Sequence, residues 1–586
     1  MNFLKTGSSI KSYNKLSNWF NFDKENILQV YSGKIDIGQH ISSTLALIAS
    51  KITNIKYSQV EIVRLNTNIS PDEGKTASSL STPDSGTAIK SASIILRKSF
   101  INYALRELKI NLDEMIFENG IIKDIKSNKS ISYWDFAKTD NFKSLIIPIE
   151  IEDKDIKSLN YSNKQKVELK TIKNIVTGRY KYVHDLYFPN MLHARIIRPP
   201  NYFSKFKRID DDFQKILDTN NIKLVSKGSF LALVASDEFL VVKYLELIKK
   251  KIHWEYIKDL PNKNIHDALQ NNEKDTLLVK SGGEAYYEKI PNIKSFDNSN
   301  ITSLSSTFRK SYLMHGPIGP SAACAINHGN KYFIYSHSQA IYDLKFSISK
   351  YFNISPDNVT LEFAPGSGCY GHNGADDVAF EAAVLSKHFP NQHILLKWTR
   401  EDEHRWEPYG SASLNKIEGA INEEGKIVYW SNEVFSDTYL TRPSDAELDN
   451  FISYNLIRNN FENKRSKPKT AAHMGIHRNL DPLYNFEETR LVKNLVHDLP
   501  LRTSALRTLG AFGNVVASES FLNDLASVKN IDPFDIRINH LNDERAIEVL
   551  KNLKKNMEIL KPKEDSFRGI GFSRYKNSAA YCAVGV

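Results

Sequence analysis

Two runs of small and polar residues are built to hold something. Thr76-Ala-Ser-Ser-Leu-Ser-Thr82 places five hydroxyls in one stretch, which suits close wrapping of a polar, phosphate-bearing ligand and equally suits a solvated loop. Gly366-Ser-Gly-Cys-Tyr-Gly-His-Asn-Gly374 carries four glycines around Tyr370 and His372. Such glycines permit close backbone approach and positive φ, in a binding loop or in an ordinary βα turn. Gly33-Lys-Ile-Asp-Ile-Gly-Gln-His40 sits where a strand hands over to a helix. Free amides and the helix dipole favour phosphate there, and the Gln39 amide can exchange hydrogen bonds with a heterocycle or a diphosphate. Leu501-Arg-Thr-Ser-Ala-Leu-Arg-Thr-Leu-Gly510 offers Arg502 and Arg507, either of which suits an oxyanion or a surface salt bridge.

His473 and His477 have metal-ligand spacing, but Gly475 lies between them and no glutamate follows His473, which argues against a helical zinc site. His315 and His337 stand in apolar surroundings and read as core or supporting groups. No GxSxG, Walker A, GxGxxG or kinase set occurs.

Alternating strand and helix patterns position these runs. The spacing of Ile41, Leu45, Ile48 and Ile52 predicts a helix after the Gly33–Gly38 turn, and Ile89–Leu108 predicts a second after the hydroxyl-rich loop. Strands are expected at Met191–Ile197 and Phe230–Ala235, with a helix at Phe239–Lys251. Lys258–Asn300, rich in Lys, Asn, Asp and Pro, reads as a connection. Beyond it come strands at Lys331–Tyr335 and Val359–Ala364, helices at Ala340–Phe352 and Asp377–His388, a hairpin turning at Asn422–Gly425, and a helix bearing Phe521, Leu525 and Val528. Ser578–Val586 reads as a strand without partners.

With 586 residues, 41% hydrophobic and 25% charged, the chain is long enough for several domains and too apolar for a disordered tail. The charge balance of 78 Lys+Arg against 68 Asp+Glu leaves +10 without a basic block, which speaks against nucleic acid as the main partner. Cys324, Cys369 and Cys582 are too few and too scattered for a disulfide framework or an iron–sulfur ligand set. No apolar run of spanning length and no leader-like N-terminus appears, so a soluble, cytoplasmic protein is expected.

Taken in order, these phrases resemble one family: the molybdopterin-binding large subunits of the xanthine dehydrogenase/aldehyde oxidase superfamily, of the isoquinoline 1-oxidoreductase and nicotinate dehydrogenase type. The resemblance is carried by Ser32–Gln39, Pro71–Gly74 running into Thr76–Ser81, Val176–Asp185, Leu192–Arg195, Arg198–Pro200, Ser336–Gln339, Gly368–Asp377, Trp398–His404, Trp406–Gly410, Arg502–Arg507 and Gly571–Asn577. It implies a mixed α/β (α+β) fold with residues 1–165 as a first molybdopterin-binding segment, 166–258 as an α/β-hammerhead domain, 259–300 as a connection, and 301–586 as a second molybdopterin-binding region whose last domain is incomplete.

The cofactor implied is a molybdopterin dinucleotide, in its cytosine form, carrying molybdenum held through the pterin. Gln39, Ser78, Ser79 and Ser81 would contact pterin and diphosphate, Tyr370-Gly371 would lie by the molybdenum, and Arg507 would orient substrate and stabilise developing negative charge. The reaction implied is hydroxylation of an N-heterocycle or aldehyde with water as the oxygen source, electrons leaving through a small [2Fe–2S] partner subunit. Two departures stand out. His40 replaces the family's usual glycine after Gln39, and the sequence reaches Val586 before the Gly-Glu motif that carries the family's general base. Two readings follow: a catalytic subunit completed elsewhere, or a non-catalytic remnant or scaffold that keeps the fold.

Overall fold

A computed structural model describes residues 3–152, 167–260, 264–296, 300–443, 447–460, 465–560, 565, 566, 568–577 and 581–585. Three packed bodies of apolar side chains organise it. In the first, strands Phe20–Phe22, Leu28–Val30 and Val60–Ile62 form a small sheet, and helices Ile41–Thr53 and Thr87–Leu108 pack together beside it. Trp19, Leu28, Leu45, Ala92 and Phe100 are fully buried between them. Both helices fall where the apolar spacing placed them, because one stripe of each can be removed from water only against the other.

The second body is a seven-stranded sheet ordered Lys223–Lys227, Phe230–Ala235, Leu192–Ile197, Ile394–Lys397, Ala322–His328, Lys331–Ser336, Val359–Phe363. Its first three strands come from the stretch expected to be a separate hammerhead unit. Leu192–Ala194 nevertheless pairs in parallel with Ile394–Leu396, so both stretches share one continuous ladder. Every residue of Phe230–Ala235 is buried, the near-continuous apolar run of a strand covered on both faces. The expected boundary at 165/166 falls outside the described residues.

In the third body, a six-stranded sheet runs Ala285–Tyr286, Lys274–Val279, Thr489–Val496, Ile427–Ser436, Ser413–Asn422, Ile301–Lys310, with helix Ala511–Val528 packed against it. Lys274–Val279 corrects the sequence reading, which placed it in a connection. The strand is flanked by Lys and Asn residues that mask its pattern, yet it pairs along its whole length with Thr489–Val496. The final strand, Tyr581–Gly585, pairs with Ile570–Arg574, contrary to the expectation of an unpartnered edge; residues 578–580 lie outside the described residues.

The first body docks on the outer edge of the seven-stranded sheet. Thr67 N–H donates to Leu361 O (2.9 Å), Phe363 N–H to Leu65 O (2.8 Å) and Asn66 Nδ2 to Glu362 Oε2 (3.0 Å). That edge contact brings the N-terminal loops to the Gly-rich loop that follows the same strand. Among the described residues no helix is long and apolar enough to cross a membrane.

Candidate functional site

Strand Val359–Phe363 ends in the Gly-rich loop, which enters helix Ala375–Ser386 two residues earlier than the sequence suggested. Asp376 and Asp377 therefore lie in its first turn, where acidic side chains favour the helix dipole. The loop lies against Thr503–Arg507: Gly371 and Leu506 form a β-bridge, His372 N–H donates to Ala505 O (2.7 Å), and Arg507 N–H donates to Tyr370 O (2.5 Å). Tyr370, Gly371 and Arg507, chosen separately from the sequence, are thus in direct contact. Gly371 has φ +133°, and an added Cβ would stand 1.9 Å from Ala505 O, so this approach demands glycine.

The two arginines of the same run part company. Arg502 is a structural group: its two terminal nitrogens reach Asp377 at 3.2 and 2.8 Å and donate as well to Trp406 O and Asn450 O. Arg507 points its guanidinium outward, exposed and without a partner among the described residues. It alone is free to meet a ligand.

Thr76–Thr82 behaves differently at its two ends. Thr76 is buried and accepts at Oγ1 from Ile35 N–H (3.0 Å), tying the loop to the Gly33–Gln39 turn. Ser78 and Ser79 are exposed, both with φ +61°, and Ser81 opens a π-helical turn that continues into helix Thr87–Leu108. The backbone N–H groups of Ser78, Ser79, Ser81 and Thr82 have no acceptor among the described residues. Four free donors at the start of a long helix suit phosphate oxygens. Lys576 reaches the loop from the far end of the chain, its Nζ donating to Ser78 O (2.8 Å). Sequence reading gave Lys576 no role, since nothing local marks a contact across 498 positions.

Gln39 is turned onto its own loop, donating from Nε2 to Ile35 O (2.8 Å) and accepting from Ile37 N–H (2.6 Å), with its side chain otherwise exposed. His40, flagged as a departure, has φ +54° at the start of helix Ile41–Thr53. The turn requires a left-handed residue there, a conformation that glycine adopts without cost and that strains His40.

A second loop, residues 313–321, buttresses the Gly-rich one. Pro317 lies against Gly368, Gly319 N–H donates to Ser367 Oγ (2.7 Å), and His184 Nε2 lies 2.7 Å from Pro320 O. Two fully buried carboxyls hold it: Glu407 accepts from His315 N–H (2.8 Å) and Glu403 from Ser321 N–H (2.8 Å) and Ser321 Oγ (3.0 Å). Burial, and then the adjacent Glu403 carboxylate, push the Glu407 carboxyl up to about 9. Burial pushes His315 and His337 down to about 3, so both are neutral core groups as expected.

A pH test follows from Glu407. Its folded pKa is raised, so its contribution to stability is full below the ordinary glutamate range of about 4.3, shrinks as pH climbs toward about 9, and is absent above that. Glu407→Gln, a neutral mimic of the protonated acid, should flatten the loss of unfolding midpoint between about pH 6 and 9 relative to the wild type. Parallel midpoint curves for the two proteins would show that Glu407 is ionised in the fold.

His473 and His477 do not form a metal site. The His473 ring packs against Gly283, His477 Nε2 lies 2.9 Å from Ala471 O, and no group of metal-ligating side chains occurs among the described residues. A cavity of about 450 Å³ is lined by Asp437, Thr441, Asn450, His497, Arg502 and Thr503. None of Gln39, Ser78, Ser79, Ser81, Tyr370, Gly371 or Arg507 lines it, and we do not place the chemistry there.

Comparison with known proteins fits this arrangement of two loop systems on two separate stretches of chain. Residues 2–177 and residues 280–451 each match a molybdopterin cofactor-binding domain, together more than half of the sequence. The chain therefore belongs with the molybdopterin cofactor-binding proteins, over both of these stretches. It is 26% identical over 541 residues to a subunit of nicotinate dehydrogenase from Pseudomonas putida, covering 90% of this chain and 43% of that protein. Against the membrane-bound aldehyde dehydrogenase of Gluconacetobacter polyoxogenes it is 20% identical over 450 residues, 73% of this chain and 57% of that one. The chain thus spans about half the length of these relatives. Among solved structures it is similar to aldehyde oxidoreductase from Desulfovibrio gigas (TM-score 0.49, 16% identity, 69% of this chain and 48% of that one) and to quinoline 2-oxidoreductase from Pseudomonas putida 86 (TM-score 0.49, 12% identity, 67% and 53%).

Proposed function

We propose that the chain is the large subunit of a molybdenum hydroxylase that oxidises an N-heterocycle or aldehyde, takes its oxygen from water and passes electrons to a small [2Fe–2S] partner subunit. The observation that carries the proposal is the contact of Tyr370 and Gly371 with Arg507, together with a helix-start loop whose four amides have no acceptor among the described residues. One end of such an arrangement suits a phosphate-bearing cofactor, and the other leaves a single free guanidinium beside a glycine edge.

The group we assign to these loops is a molybdopterin dinucleotide in the cytosine form, which when bound would supply the two-electron redox chemistry. The chain's own residues do the rest. Ser78, Ser79 and Ser81 would hold the diphosphate through N–H and hydroxyl groups, and the Lys576 ammonium offsets phosphate charge from the same side. Gln39 presents an amide whose second N–H proton is free for the pterin. Tyr370 walls the reacting end and Gly371 brings bare backbone to it. Arg507, always charged, orients a heteroaromatic or carbonyl substrate and stabilises negative charge as it develops on the substrate.

The reading is tested by measuring molybdenum, pterin and cytidine nucleotide in the purified chain, with and without its iron–sulfur neighbour. Stoichiometric pterin and nucleotide are expected. Gln39→Ala should lower both by several-fold, since the turn loses two hydrogen bonds as well as a ligand contact. Unchanged cofactor content in that variant would remove Gln39 from the site.

A further inference from the structure

Between the Ser78–Ser81 loop and the Tyr370–Arg507 pair, one side chain that the sequence did not single out spans the gap. Arg442 donates from Nη2 to Gln339 Oε1 (3.0 Å), and its Nε lies 3.4 Å from Asp376 Oδ2. Gln339 clasps Thr76 at both ends: its side-chain Nε2 donates to Thr76 O (2.9 Å) and its main-chain O accepts from Thr76 N–H (3.0 Å). On the other side Asp376 accepts from Ser338 Oγ and lies 3.0 Å from His372 Nε2, while His372 Nδ1 meets Ser504 Oγ at 2.8 Å. His372 and Ser504 flank the backbone contacts that place Tyr370 and Arg507.

We infer that Arg442 is the positioning residue that couples the two loops, fixing the spacing between the phosphate-facing amides and the Tyr370–Arg507 edge. Thr76, His372, Asp376 and Ser504 are each no more than 3% exposed, so water does not compete for these bonds. Burial lowers the His372 pKa against the opposing hydrogen bond to Asp376, and the Arg442 charge lowers it further; Arg442, always charged, lies 3.4 Å from the buried Asp376 carboxylate. A guanidinium suits the task because its fork sends donors in two directions, whereas a lysine is a single point charge. What the strut does for a ligand rests on the cofactor reading proposed above, but the mechanical link does not.

Hydrogen exchange read by mass spectrometry on the purified full chain tests the link. Two segments report: residues 74–82 and residues 369–374. Arg442→Met should speed exchange in both by about tenfold or more, the effect of losing a charge-assisted contact at each end. Arg442→Lys should keep 369–374 protected through the Asp376 pair yet open 74–82, and Gln339→Met should open 74–82 alone. Arg465→Met, which removes an exposed arginine paired with Glu273 and Asp498, should open neither.

The inference is overturned if Arg442→Met opens one segment alone, or if Arg442→Lys matches wild type at both, since simple charge compensation would then suffice. Should Arg442→Met fail to fold, the Arg442→Lys and Gln339→Met pair decides the matter by the same comparison. Pterin content of the same preparations is scored separately. Wild-type protein without pterin would sink the cofactor reading and leave the exchange comparison standing.

Discussion

On the proposed reading, Arg507→Ala is expected to lower kcat/KM by about 10²–10³-fold, the cost of removing one donor that stabilises developing charge, while molybdenum per chain and unfolding midpoint stay at wild-type values. The expectation follows from placement: the Arg507 backbone is fixed by Tyr370 O, but its guanidinium contacts no described residue, so truncation leaves nothing buried and unpaired. Arg502→Ala makes the contrast. Asp377 is buried and bound at both oxygens by Arg502, and stranding that carboxylate costs about 3–5 kcal/mol, with loss of folded protein. Steady-state kinetics, metal analysis and thermal melts on the two variants separate the roles. An Arg507→Ala protein that keeps full turnover, or one that loses its metal, would show the guanidinium to be elsewhere in the mechanism.

Gly371→Ala is the second large effect. The methyl group would stand 1.9 Å from Ala505 O at a backbone φ of +133°, and both neighbours are backbone, so neither can rotate away. The loops must separate, costing on the order of 4 kcal/mol or more, and on the proposed reading the variant is expected to release the cofactor. Gly38→Ala supplies the control. Gly38 also has positive φ (+101°), but nothing lies within 4 Å of the added atom, so only backbone strain of about 1–3 kcal/mol is incurred. Retention of pterin in Gly371→Ala at wild-type level would mean that the loop contact is dispensable.

Several parts of this picture were legible before any coordinates. The helices at Ile41–Thr53 and Thr87–Leu108 and the strands Leu192–Ile197 and Phe230–Ala235 follow from periodicity, because each buries one face and the pattern records which. The Gly-rich loop was readable because four glycines in nine residues weaken both helix and strand and suit a tight turn with close backbone approach. Strand Lys274–Val279 was not, since its polar neighbours disguise a segment whose long partner, Thr489–Val496, arrives more than 200 positions later. Helix Ala375–Ser386 began earlier than expected because Asp376 and Asp377 are stabilised there by Arg442, His372 and Arg502 rather than by local pattern.

Residue identity by itself marked which loops have the composition to wrap a phosphate-bearing group and which are rich enough in glycine for close backbone approach, since composition is a local property; that Gly371 has to be glycine was decided by Ala505 O, 134 positions away. Identity did not separate Arg502 from Arg507, two arginines in one run with identical local chemistry. It gave no reason to single out Arg442 or Lys576, and it did not show that strands Lys223–Lys227, Phe230–Ala235 and Leu192–Ile197 join one sheet with strands beyond residue 321. Those outcomes depend on which distant carboxylate, carbonyl or strand edge each group meets after folding. Coulomb and hydrogen-bond energies are set by distances of a few ångströms in space, whatever the separation along the chain.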